Sequence, residues 1–379
     1  MNKFSCGLIF VFAILHSASS ANWYATNGVL YNSGVSVTLK GINWFGLETT
    51  ARAPDGLWTS NVVNGQTIGH SITWFMNKIA DLGFNAVRIP LSPESLKNDA
   101  VHYPTASWAR LWDPTLTTGW IVLNSMLTQA KSSGLYVLLD YQTCNENQIG
   151  NNLPGLPTNC PGYTLNNWYQ DLNTLATLAK SFPNVIGIDI FNEPHGCSWS
   201  TWREYAQGAI ASIYNTNQNI VYFVEGIDGN VPGDGTGTNW GENLYYAGSQ
   251  PVQPSGVPAN KIIYSPHVYD VGDNDWEKCF GYLQGYNQNT VIVGEWGYNS
   301  KSSYDINTFA PNLISFLKTE GINSVFYWSF NGNDADLGYL TSADSTWCTV
   351  VSEKLTRFKG MGITPKSYIT STNPPSICN

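Results

Sequence analysis

Eight short apolar runs, each separated from the next by a longer stretch, constrain this 379-residue chain more than any other feature. In order they are residues 37–45 (VTLKGINWF), 85–91 (NAVRIPL), 136–141 (YVLLDY), 185–191 (VIGIDIF), 220–225 (IVYFVE), 262–269 (IIYSPHVY), 291–296 (VIVGEW) and 324–330 (SVFYWSF). Runs of this length, rich in β-branched and aromatic residues, read as strands buried on both faces. Between most of them lies a segment of helical period, at 72–82, 117–133, 166–181, 199–215, 276–286 and 309–319. Several of these end in a glycine stop, at Gly83, Gly134 and Gly321. Such alternation gives a parallel sheet covered by helices. With eight units, a closed (β/α)8 TIM barrel is expected ahead of an open doubly wound sheet. Residues 23–39, broken at Asn27-Gly28 and Asn32-Ser33-Gly34, read as a small N-terminal β-hairpin capping one end. Residues 226–260, rich in Gly, Pro and Asn, read as a long loop.

No repeat, low-complexity tract or linker divides the chain, so residues 21–379 are expected to form one (β/α)8 domain. Residues 1–20 read differently: Lys3 precedes an apolar run at 4–15, and Ala18 and Ser20 stand three and one places before Ala21. That spacing predicts a cleaved signal peptide and a secreted protein. The apolar run is too short to span a bilayer. Six cysteines lie beyond it: Cys144, Cys160, Cys197, Cys279, Cys348 and Cys378. In an oxidising compartment three disulfides are expected, and only Cys144–Cys160 is suggested by proximity. Charged residues are 12% of the chain, net charge is −9, and there is no Lys/Arg run. Nucleic acid and anionic membranes are therefore poor partners, and an uncharged polar ligand suits the chain better. A monomer is expected.

In a β/α barrel the chemistry sits at the carboxyl ends of the strands. The polar residues closing the eight runs are Asn43, Arg88, Asp140 with Gln142, Asn192 with Glu193, Glu225, His267 with Tyr269, Glu295, and finally Trp328. Two carboxylates are the minimal apparatus for acetal hydrolysis: one protonates the leaving oxygen while the other attacks or activates water. Glu193 and Glu295 are the best pair, because strands four and seven lie on roughly opposite sides of an eight-strand mouth. Fifteen Trp and 21 Tyr supply ring faces for pyranose C–H groups. No cofactor or metal is expected: there is no G-x-G-x-x-G after a strand, no P-loop and no H-E-x-x-H, and the strand-end His lacks a companion at ligand spacing.

The segments GINWFGLET (41–49), NAVRIPLS (85–92), DIFNEPHG (189–196), SPHVYD (265–270), VGEWG (293–297) and YWSFN (327–331) resemble glycoside hydrolase family 5, in particular its secreted endo-β-1,4-glucanase (cellulase) branch. The resemblance implies that Glu193 is the general acid/base and Glu295 the nucleophile of a retaining double displacement on internal β-1,4-glucosidic bonds. It implies that Asn192 binds the sugar 2-hydroxyl, that Arg88 holds Glu295 ionised, and that Glu193 keeps its proton until it donates it. Tyr269 would contact Glu295, His267 would line the subsite, and Trp328 would form its aromatic platform. The family commonly places a His two residues after the Asp that closes strand three. Here that position is Gln142, which puts one sugar contact in doubt.

Other readings stay open on the residues. Trp44 and Trp296 serve either as sugar-stacking walls or as core packing. Glu225 and Asp140 are expected to support the site rather than react, and Asp189 to be a structural acid pointing into the barrel. A β-mannanase or another β-glycanase would use the same two glutamates with different walls. A non-catalytic carbohydrate-binding barrel is the alternative from another class, disfavoured because both carboxylates are present.

Overall fold

The computed structural model describes residues 21–378 except 149, 151–152, 154–159, 234–236 and 271–274. The expected signal peptide lies outside the described residues. Parallel strands Lys40–Asn43, Ala86–Leu91, Tyr136–Tyr141, Val185–Asp189, Val221–Val224, Ile262–Tyr264 with His267–Val268, Val293–Trp296 and Val325–Tyr327 form one sheet in chain order. The last strand pairs back onto the first, with Val325 opposite Lys40 and Tyr327 opposite Ile42. The sixth strand is in two pieces, one bonded to the fifth strand and the other to the seventh, and the ring closes through it. Pro266, between the pieces, has no N–H to give. The ladder nevertheless continues, because Ser265 N–H reaches the Val224 carbonyl at 2.9 Å and the Pro266 carbonyl accepts from Gly294 N–H at 3.2 Å. The expected (β/α)8 barrel is therefore the fold.

Alternation of side chains along each strand divides the apolar residues into two cores. Ala86, Leu138, Ile186, Phe223, Ile263, Ile292 and Phe326 fill the barrel interior toward its base, together with Trp23 and Leu30 of the N-terminal unit. That unit is the expected hairpin with a third strand added: Trp23–Thr26, Val29–Asn32 and Val35–Val37, antiparallel. Trp23 N–H donates to the Asn219 carbonyl at 2.8 Å, and its ring meets Tyr136 edge-on, so the unit plugs the base. The opposite strand faces carry the larger core under the helices.

Helix Ile72–Asp81 shows why these segments are helical: Ile72, Phe75, Met76 and Ile79 bury one stripe, and Ser71 caps the start by accepting from Trp74 N–H. Thr118, Thr164 and Ser198 cap Gly119–Ser132, Leu165–Ala179 and Trp199–Tyr214 in the same way. Each such cap contributes about 1 kcal/mol. Gly83, Gly134 and Gly321 follow their helices with φ of +94°, +74° and +71°, as the sequence predicts for helix stops.

Three expectations need correction. The helix expected at 276–286 is one turn, Trp276–Cys279, followed by two 3₁₀ turns, since the backbone leaves helical geometry at Phe280 (φ −153°) and again at Gly285 (φ +79°). The region 226–260 contains an antiparallel ribbon, Ile227–Asn230 with Gly237–Asn243, rather than loop throughout. The disulfides are Cys144–Cys160 and Cys348–Cys378. Of the remaining pair, Cys197 is a half-buried thiol and buried Cys279 lies with Sγ 3.5 Å from the Glu242 carbonyl, so three bridges become two among the described residues.

Candidate active site

At the carboxyl ends of the strands, fully buried Arg88 is the hub. Its Nη1 donates to Glu295 Oε1 and, at 3.1 Å, to Asn43 Oδ1. Its Nη2 donates to Asp189 Oδ2 and Asn192 Oδ1, each at 3.0 Å, and to Glu225 Oε1 at 3.3 Å. Asp140 Oδ1 is also 3.0 Å from Nη2, an ion-pair contact without hydrogen-bond geometry. One planar guanidinium from strand two thus sets the positions of groups from strands one, three, four, five and seven.

Glu295 is held from a second side by the Tyr269 hydroxyl, which donates to Oε2 at 2.7 Å. A guanidinium and a phenol thus pair its two oxygens. Glu193 faces it across the mouth, less buried, with Oε1 3.1 Å from His267 Nδ1. One oxygen of each glutamate and a His267 ring nitrogen all lie within 4.8 Å of one another. Glu193 stands in the left-handed region at φ +49°, where a non-glycine residue is strained.

The cluster holds more acids than bases. Burial pushes the carboxyls of Asp140 and Glu225 well above the usual range, offset only in part by Arg88 and His267, and Asp189 shifts the same way. Burial opposes charge on His267, yet the neighbouring Glu225 and Glu295 outweigh it and raise the imidazole well above its ordinary value. Burial and Glu295 likewise push the Tyr269 phenol up, so it stays a donor. Protons are retained within the cluster where charge would be buried unpaired.

Arg88, Asn192, Glu193, His267, Tyr269 and Glu295 are brought together as the strand-end reading places them. Trp328 stands half-buried at the same rim, stacked on Phe45 with centroids 5.4 Å apart and planes 10° apart. Gln142 is buried at the end of strand three, and its Oε1 has no hydrogen-bond partner among the described residues. Trp44 and Trp296 go elsewhere. Both are fully buried in the outer core, Trp44 against Phe75 and Phe330, Trp296 against Tyr298, Tyr327 and Phe358. Of the two candidate roles, they take core packing. On strand one the inward residue is Asn43, and strict alternation would have identified it.

Sequence reasoning missed two further features. Trp240, 45% exposed in the 227–243 ribbon, stacks on His195 at 3.7 Å, with planes 4° apart. His195 Nδ1 in turn bonds to the Glu193 carbonyl at 2.7 Å. His195 follows Glu193 by two residues, but nothing in the sequence pairs it with Trp240. Glu48 is buried beside the mouth and accepts from Gly46 N–H at 2.7 Å.

Comparison with known proteins gives a consistent picture. A family model described as cellulase (glycosyl hydrolase family 5) matches residues 35–334. The chain is 31% identical, over 91% of its length and 72% of the relative's, to the major extracellular endoglucanase of Xanthomonas campestris pv. campestris. It is 30% identical to an endoglucanase of Paenibacillus polymyxa, over 87% of this chain and 85% of that one. The solved catalytic domain of the Xanthomonas major endoglucanase superposes with a TM-score of 0.76 at 30% identity, covering 90% of this chain and 99% of that one. The barrel, the residues at its mouth and matches of this extent agree: the chain belongs to glycosyl hydrolase family 5, the cellulases.

Proposed function

We propose that this protein is a secreted, monomeric endoglucanase that hydrolyses internal β-1,4-glucosidic bonds with retention of configuration. Glu295 is the nucleophile and Glu193 the acid/base. The observation that carries this reading is the pair itself. The nearest oxygens of the two carboxylates lie within 4.8 Å. So close an approach favours the nearer carboxyl pair of retaining glycosidases, ~5–5.5 Å apart, over the ~6.5–9.5 Å pair of inverting ones.

In the first step Glu295 attacks the anomeric carbon while Glu193 gives its proton to the departing glycosidic oxygen. In the second, Glu193 takes a proton from water as that water attacks the same carbon and releases Glu295. Arg88 and Tyr269 hold and aim the Glu295 carboxylate, and the low exposure of the site strengthens both contacts. Asn192 stands beside Glu295 on Arg88, suited to the sugar 2-hydroxyl. Trp328 offers a ring face, and the Gln142 Oε1, without a partner among the described residues, can accept from a sugar hydroxyl.

Reducing-sugar release and viscosity on β-1,4-glucan, mixed-linkage glucan, xyloglucan, xylan and mannan test the reading, with Glu193→Gln and Glu295→Gln run alongside. Early loss of viscosity on β-1,4-glucan and loss of activity in both variants is the expected result. Mannan as best substrate would move the assignment to a β-mannanase. Binding without hydrolysis by the wild type would make the barrel a sugar-binding scaffold.

A further inference from the structure

Glu225 closes strand five and is fully buried, yet neither step above uses it. Its Oε2 accepts the backbone N–H of Glu193 at 2.7 Å. Its Oε1 lies 3.1 Å from His267 Nε2 and 3.3 Å from Arg88 Nη2. The other face of that imidazole, Nδ1, is 3.1 Å from Glu193 Oε1 and 3.6 Å from Glu295 Oε2. Glu225 therefore meets Glu193 by two routes, a hydrogen bond at its backbone and an ion-pair contact without hydrogen-bond geometry to His267, which in turn bonds its carboxylate. The backbone grip falls on a residue whose φ of +49° lies in the left-handed region, a strained conformation that persists only where its surroundings hold it.

The 227–243 ribbon seals this arrangement. Gly226 N–H donates to the Gly241 carbonyl at 2.8 Å. A Cβ on Gly241 would stand 2.5 Å from Glu225 Oε2 and 3.3 Å from both Glu193 Cγ and His267 Cγ. Only bare backbone fits there, and it lies directly over the Glu225 carboxyl. Trp202 Nε1 donates to the Glu225 carbonyl at 2.9 Å from the helix side, fixing the residue's own backbone.

We infer that Glu225 is the positioning residue of the proton donor. By holding the Glu193 backbone in its left-handed turn and the His267 ring beside its carboxylate, it aims the acid at the leaving oxygen, while the nucleophile is aimed directly by Arg88 and Tyr269, which Glu225 touches only at Arg88 Nη2, 3.3 Å away. The inference rests on the reading of Glu193 as acid/base and deepens it. It separates two functions within one buried cluster, and the separation can be read from leaving groups. A substrate that needs protonation on departure should feel the loss of Glu225, whereas one with an acidic leaving group should not.

The test compares two substrates, cellotetraose and 2,4-dinitrophenyl β-cellobioside, on wild type, Glu225→Gln, Glu225→Ala and Glu193→Gln, with thermal unfolding of each. Glu225→Ala should lose about 10²–10³-fold in kcat/KM on cellotetraose but less than about tenfold on the dinitrophenyl glycoside. Glu225→Gln keeps the shape and an acceptor for Glu193 N–H, so it should fall between wild type and Ala with the same leaving-group pattern. If Glu225→Ala does not fold, the Gln variant decides. Equal losses on both substrates, or none on either, in a folded variant would overturn the inference even where Glu193→Gln shows the acid/base pattern. Should Glu193→Gln itself lack that pattern, the acid/base reading fails first.

Discussion

The Tyr269 hydroxyl donates to Glu295 Oε2 at 2.7 Å while Arg88 Nη1 binds Oε1, so both oxygens of one carboxylate are fixed by partners from different strands. Tyr269→Phe removes one of them without opening a cavity. A hydrogen bond to a charged group contributes ~1.5–3 kcal/mol. We therefore expect kcat/KM on β-1,4-glucan to fall about 10–100-fold, with the loss mainly in kcat. Steady-state kinetics on a cello-oligosaccharide decides it, and a change confined to KM would assign Tyr269 to binding alone.

Glu48 gives the fold a pH dependence. Burial raises its carboxyl to about 7, assisted by Asp55 and Glu295 and opposed by backbone donors at Glu48 and Gly46. The folded state then holds a proton across the interval from the ordinary carboxyl value of 4.5 to about 7 that the unfolded chain has already released. Stability from this group is full below that interval and falls as pH rises through it, by roughly 3 kcal/mol. Urea unfolding at about pH 5 and about pH 7.5 should show the fall in wild type and a flatter profile in Glu48→Gln. Equal slopes in the two proteins would remove Glu48 as the cause.

Cys348–Cys378 ties the C-terminal segment to the loop after strand eight across a sequence separation of 30. Closing a loop of that length restricts the unfolded chain by roughly 3.5 kcal/mol. The double variant Cys348→Ser/Cys378→Ser should lose about 2–4 kcal/mol of unfolding free energy while its kcat stays near wild type. A large drop in kcat at unchanged stability would be the contrary result.

Trp240 presents a ring to solvent beside Glu193, made rigid by its stack on His195. A rigid, half-exposed indole at the mouth suits stacking on a sugar, a contact of about 0.5–1.5 kcal/mol beyond burial. We expect Trp240→Ala to raise KM on cello-oligosaccharides by about 2–10-fold with little change in kcat. The effect should vanish on substrates too short to reach the ring. An unchanged KM on every chain length would leave Trp240 a surface residue.

Much of this was legible in the chain. Eight apolar runs and their helical spacers required buried parallel strands, and the residues closing those runs named both glutamates and most of their neighbours. The errors came where local pattern gives the wrong direction. Trp44 follows its strand's inward residue and so faces the helices. Trp296 follows Glu295 on the same strand, so alternation turns Glu295 into the mouth and the indole into the outer core. The 227–243 ribbon was hidden by its Gly and Asn content, because its job at Gly241 is to bring backbone against side chains rather than to bury an apolar face.

By itself the sequence determined the barrel, its catalytic rim and the candidate acid and nucleophile, since hydrophobic periodicity and strand order are written in one dimension. Only the tertiary structure decided which groups touch. Arg88 meets acids from strands three, four, five and seven, Glu225 reaches back to the Glu193 backbone, and a backbone glycine from a distant ribbon lies over both. Those contacts depend on side chains converging from far-apart positions into a space where water is excluded, and in that space electrostatics, not local pattern, sets each residue's state.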